Sequence, residues 1–322
     1  MGNYLLKRML QIIPVLLILT FIIFCLVYVA GDPVALMLPP EAGETAKAAL
    51  RKALGLDKPF AEQYLIYLGN LLRGNFGTSY VYNQDALSLV LERIPYSIEL
   101  AMVSLCCSVV LGIVLGVAAA HFRNTPLDLF VNGLAALGQA LPGFWVAIML
   151  ILLFAVQIPL LPVSGAGTWI HLVLPSATLT ILTSSKIIPL IRSNMIEVMQ
   201  QDYIRTARVK GMDEKVVVFK HALRNALIPV VTVAGLQFGQ LLGGAVLTEK
   251  IFSYPGLGTI MVDAIYQKDT PQILGSVCFV ALTFTVMNLI VDILYGFIDP
   301  RIKTTFARKK RRPAAAAARS QA

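Results

Sequence analysis

EVMQQDYIRTARVKGMDEKVVVFKHALRNALIPVV, residues 197–231, is a charged segment in a chain that is 57% hydrophobic and only 14% charged over its 322 residues. Soluble domains carry about 45–50% apolar and about 25% charged residues, so this segment sits between stretches that avoid water. Its first half places Tyr203, Ala207 and Gly211 four residues apart, on one face of a short helix. Small residues on that face let another surface come close. Gly211 can end the helix by taking a left-handed conformation, and Asp213 and Glu214 can start a second helix. That second helix runs through HALRNALIPV into an apolar run. The expectation is a helix-turn-helix elbow at the edge of a membrane. The plainer alternative is a surface loop that is basic only because of its side of the bilayer.

On either side of this segment, the apolar stretches, free of charge except for Lys186 in the fourth, are Met9–Ala30, Leu100–Ala120, Leu129–Leu161, His171–Ile191, Ala226–Thr248 and Pro271–Val291. Each approaches or exceeds the roughly 20 residues that cross a 30 Å hydrocarbon core. The fold class expected is an all-α integral membrane protein with six transmembrane helices. LPGFW at 141–145 predicts a kink or displaced helix end near Pro142 in the third stretch. Basic residues concentrate in the N-terminal tail (Lys7, Arg8), beside Arg123, and between Arg192 and Arg224. By the bias of Lys and Arg towards the cytoplasm, these segments and both termini are cytoplasmic. The formal net charge of +9 is thereby explained by orientation and anionic lipid, not by nucleic acid.

Four segments are expected. Residues 1–30 hold the N-terminal tail and a retained first helix. Residues 31–95 form an extracytoplasmic loop, in which Phe60, Tyr64, Leu68 and Leu71 recur at helical spacing between Pro59 and Gly74. That amphipathic helix either packs on the membrane domain or docks an extracytoplasmic partner. Residues 96–300 form a five-helix core containing the cytoplasmic loop 197–226, and 301–322 form a basic, disordered tail. The four cysteines, Cys25, Cys106, Cys107 and Cys278, fall in apolar runs and read as packing residues.

Enzymatic signatures are missing. The chain contains no GxxxxGK[ST] phosphate loop, no HExxH and no GxSxG. His121, His171 and His221 have no ligand-like spacing, and neither a metal nor a cofactor is expected on this chain. Interest falls instead on polar groups inside apolar runs. Gly235, Gly239 and Gly243 make a close-packing stripe on the fifth span, as Gly112 and Gly116 do on the second. Gln237, Gln240, Gly244 and Thr248 lie roughly opposite and are candidates for lining a translocation pathway, or for hydrogen bonding between helices. Lys186 is a charge within the fourth span, where insertion costs about 2.5–3.5 kcal/mol near the bilayer centre. It either faces a cavity or snorkels to the cytoplasmic surface.

DYIRTARVKG followed by KHALRNALIPVV resembles the EAA loop of binding-protein-dependent ABC importer permeases, in the dipeptide, oligopeptide and nickel branch. GDP (31–33), LGLDKP (54–59), GNFGTS (74–79), LPGFW, LPVSG (161–165), LLGGAVLTEKIFSYPGLG (241–258) and NLIVDILYGFIDPRI (288–302) extend the resemblance over nearly the whole chain. It implies a type I ABC importer permease fold in a bacterial inner membrane. The implied partners are a second homologous permease, two cytoplasmic ATPase subunits that hold the ATP and Mg, an extracytoplasmic solute-binding protein, and lipid. Asp202, Tyr203, Arg205, Thr206, Ala207, Lys210 and Gly211 would form the ATPase-coupling helix. The substrate would be a di- or oligopeptide, glutathione or chelated nickel. An ion-coupled secondary transporter with a Lys186–Asp292 charge relay is the competing class.

Overall fold

The computed structural model describes residues 2–30, 34, 38, 42–53 and 55–298. GDP at 31–33 and the basic tail lie outside them, as does the side chain of Asp292. Helix α1 is Gly2–Ala30, α2 Glu44–Ala53 and α3 Phe60–Leu72. Helix α4 is Ala86–His121, α5 Pro126–Ala140 and α6 Gly143–Ile151, the last continued by a π-helical turn, Leu152–Gln157. Helix α7 is Trp169–Met199, α8 Asp202–Val209 and α9 Leu223–Gly244. The short α10 (Val246–Ile251), α11 (Leu257–Tyr266) and the long α12 (Thr270–Ile298) complete the described helices.

Among the described residues, four helical segments are long and apolar enough to cross a membrane, namely 86–121, 169–199, 214–243 and 270–287. A fifth is made if α5 and α6 count as one broken span. Pro142, which cannot donate an amide hydrogen, stands in the break between them. The outcome there is sharper than a kink, because the two halves turn by 105°. The described apolar part of α1, Ile13–Leu26, is shorter than those segments.

Helices α4 and α7 form the spine. A Cβ on Gly112 would lie 2.5 Å from Ile187 Cγ2, and one on Gly116 2.9 Å from Ile191 Cβ and 3.0 Å from the Ile188 carbonyl. Glycine therefore permits a backbone approach that alanine would block, as the GxxxG spacing predicts. Ser108 donates to the Thr180 carbonyl and Thr180 to the Ser104 carbonyl, both at 3.3 Å, so polar groups bridge the same seam. On α9, a Cβ on Gly239 would lie 3.3 Å from the Phe284 ring of α12, and one on Gly243 3.9 Å from Val280. Of the expected glycine stripe, Gly239 thus packs tightly on the last helix and Gly243 makes ordinary contact with it.

Helix α4 begins at Ala86, well outside the expected start at Leu100, because Asp85 caps it by accepting from the Ser88 amide. Charged Glu92 and Arg93 lie within that extension, so a charge-free stretch underestimates the helix. The amphipathic helix expected between Pro59 and Gly74 is α3. Its Phe60 and Tyr64 rings meet Phe21, Phe24 and Tyr28 of α1 at centroid distances of 5.0–6.1 Å. Tyr64 also hydrogen-bonds at Thr20 and the Leu17 carbonyl, both at 3.1 Å. Packing on the membrane domain therefore occupies this face.

Candidate functional site

The elbow between α7 and α9 is built around α8. Ile204 is completely buried and Ala207 is 7% exposed, and both join Met195, Val217, Ala222 and Ala226 in one apolar cluster. The inward pair is therefore Ile204 with Ala207, one turn apart. This corrects the expected face of Tyr203, Ala207 and Gly211, in which Ala207 was to meet a partner. Asp202, Tyr203, Arg205 and Thr206 are exposed, as are Lys210 and Gly211 just beyond the helix. Val209 is 89% exposed.

Polar contacts link the parts of the elbow. Gly211 adopts φ 74° and its amide donates to the Arg208 carbonyl at 2.9 Å, closing the helix in the left-handed conformation that glycine tolerates. Asp213 caps the next segment by accepting from the Lys215 amide. Arg208 donates to both carboxylate oxygens of Glu214, at 2.7 and 3.1 Å, and this bond holds its guanidinium pKa above the ordinary value. Asn225 reaches back to the Tyr203 hydroxyl at 3.0 Å. From Glu214 the chain passes through a π-helical segment, Val217–Ala222, directly into α9.

A second assembly lies at the far end of α9. Glu249, 1% exposed, accepts from Ser97 Oγ at 2.6 Å, from the Gly258 amide at 2.7 Å and from the Thr259 amide at 3.3 Å. Ser97 Oγ in turn accepts from the Leu257 amide at 2.8 Å. Together they satisfy the first amides of α11, which has no side-chain cap from its own N-terminal residue. A Cβ on Gly256 would fall 2.3 Å from this carboxyl group. The TEKIFSYPGLG motif is thus a remote helix cap with a glycine cradle. Further along the chain, Asp269 accepts from Ser79 Oγ and from the Tyr80 amide, the latter at 3.1 Å, tying the segment before α4 to the start of α12. Burial, and then the Asp269 charge, push the Tyr80 hydroxyl pKa up to about 12.

The candidate pathway residues divide. Lys186, Gln237 and Gln240 line one cavity of about 430 Å³, together with Gly138, Gln139, Leu141, Thr183 and Ser185. Thr248 does not line it and is buried on α10, while the surroundings of Gly244 lie outside what the structure describes. The reason is a break at Ala245, which interrupts the helical register between Gln240 and Thr248. Gln139 donates to the Ser185 carbonyl at 2.9 Å, fixing the end of α5 beside Lys186. At the other end of α5, Arg192 donates to both Asp128 oxygens at 2.6 and 2.7 Å, and Asn124 and Asn132 also donate to that carboxylate.

Residues 112–304 match the family described as binding-protein-dependent transport system inner membrane component. The chain belongs to this family. Residues 1–101 match its N-terminal companion, the membrane component N-terminal family. The permease is 42% identical over 304 residues to the glutathione transport system permease protein GsiC of Salmonella paratyphi A, covering 94% of this chain and 99% of that one. The corresponding Escherichia coli K12 protein is 39% identical over the same shares. In fold it is similar to a structure of the MetNI methionine ABC transporter in an inward-facing conformation, with a TM-score of 0.56 at 19% identity over 66% of this chain and 97% of that one. The permease is therefore a multi-pass inner-membrane component of an ABC importer, and its relatives are named as transport permease subunits. An ion-coupled carrier is not favoured.

Ile204, Val209, Gln139 and Glu249 were not singled out by sequence reasoning. Glu249 carried a signal, being a carboxylate that follows an apolar helix and precedes a Pro-Gly-Leu-Gly turn.

Proposed function

We propose that this permease, paired with a second homologous permease, forms the translocation pathway for short peptides of the glutathione kind. Two cytoplasmic ATPase subunits, which hold ATP and Mg, drive it by alternating access, and an extracytoplasmic binding protein delivers the solute. The chain itself performs no catalysis. Six spans, with α1 as the first and the bent α5–α6 pair as the third, put both termini and the elbow in the cytoplasm.

The observation that carries this reading is the seating of α8. It is anchored through Ile204 and stiffened by the Arg208–Glu214 pair, yet turns Val209, Arg205 and Thr206 outward. A helix fixed to the membrane core and free on its other face can pass a rigid-body movement from an ATPase groove to α7 and α9. Asp202, Tyr203, Lys210 and Gly211 complete its outward surface, while Ala207 serves the anchor. Lys186, Gln237 and Gln240 line the pathway. Thr248 lies off that cavity, buried on α10. The relatives' named substrate and the amide-rich cavity support a peptide over a chelated metal such as nickel.

The test is ATP-dependent uptake of labelled glutathione by proteoliposomes carrying the whole complex and its binding protein. Val209→Asp should abolish uptake while the purified assembly keeps its composition and melting temperature, because the side chain is bare on the permease itself. Uptake at the wild-type rate in that variant would remove α8 from the coupling path.

A further inference from the structure

Lys186 stands out because, among the described residues, its neighbouring cation is paired and it is not. Arg192 lies six residues further along α7, about 9 Å at 1.5 Å per residue, and is paired bidentately with Asp128. Among the described residues, Lys186 makes no ion pair. Among the described residues, the cavity it lines holds the side chains of Gln139, Gln237, Gln240, Thr183 and Ser185, and no aspartate or glutamate.

Lys186 is exposed on this chain and lines the cavity between α5, α7 and α9, within the apolar part of α7. An ammonium group held there faces water, a partner or a solute.

We propose that Lys186 is a specificity-determining residue that selects solutes carrying a carboxylate. The proposal rests on the assignment of this cavity to the translocation pathway. The ammonium pairs with a carboxylate, and carboxamides both donate to and accept from peptide groups, so Gln139, Gln237 and Gln240 suit the amide backbone behind it. The solute class that fits is a short peptide with a free C-terminal carboxyl group. The permease then adds a charge filter to whatever choice the binding protein has made.

The experiment uses the complete transporter, with ATPases and binding protein, in proteoliposomes. Uptake of a tripeptide is compared with uptake of its C-terminal amide, each at a concentration that saturates the binding protein, and both are expressed per assembled complex. Loss of one charge-assisted hydrogen bond in Lys186→Met should lower the carboxylate-to-amide uptake ratio by about tenfold. Lys186→Arg should restore the ratio to within about twofold, since the charge and its donors return. An unchanged ratio in Lys186→Met, whatever the absolute rates, overturns the charge filter and leaves the permease reading standing. If the wild-type complex takes up neither peptide with ATP, the permease reading itself falls, and this proposal with it.

Discussion

Truncating Glu249 to alanine removes the acceptor on which the start of α11 depends. The Gly258 amide at 2.7 Å and the Ser97 hydroxyl at 2.6 Å are then left as buried donors, and the weaker Thr259 contact at 3.3 Å is lost as well. Each stranded buried donor costs about 1–3 kcal/mol, so the two strong ones together cost about 2–6 kcal/mol before any cavity is counted. At about 2–4 °C per kcal/mol for a domain of comparable size, the melting midpoint should fall by roughly 10 °C. Glu249→Gln keeps one oxygen for the amides and should lose less than half as much.

The measurement is thermal unfolding of the detergent-solubilised complex, followed by the loss of monodisperse material on size exclusion. Gly256→Ala supplies an independent check, because its Cβ would lie 2.3 Å from the same carboxyl group. Alanine should destabilise the wild type and be tolerated when Glu249 is already alanine, giving a non-additive double-mutant cycle. Equal melting of Glu249→Ala and wild type, or additive behaviour of the two changes, would refute the remote-cap argument.

Contacts elsewhere in the fold give three more expected outcomes. Asp128→Asn and Arg192→Gln, measured singly and together by the same thermal assay, should show a coupling energy of about 0.5–3 kcal/mol, since each residue is the other's bidentate partner. Gly112→Ala should lower stability by about 1–3 kcal/mol, because the added methyl would meet Ile187 Cγ2 at 2.5 Å and α4 and α7 must part. Gln240→Leu should change the uptake kinetics of the reconstituted complex without changing its assembly on size exclusion, since Gln240 is exposed within the cavity.

The membrane class, the elbow and the glycine seams were legible in the residues alone because each is a local pattern. Apolar runs are read along one helix, Gly211 ends α8 by its own backbone freedom, and Gly112 and Gly116 share a face through helical spacing. The tertiary structure decided everything that depends on two distant segments meeting. Ile204 and Val209 look alike as apolar residues in a polar loop, and only the packing of α8 on Val217 and Ala222 makes one an anchor and leaves the other bare. Thr248 shares a helical face with Gln240 by counting, yet the break at Ala245 separates them, while Gln139 joins the cavity from a different helix. Glu249 meets Ser97 across 152 positions of sequence. Periodicity reports which side a residue takes within one helix. Which helix stands opposite, and therefore which charge is paired and which is left open, is set only when the helices pack.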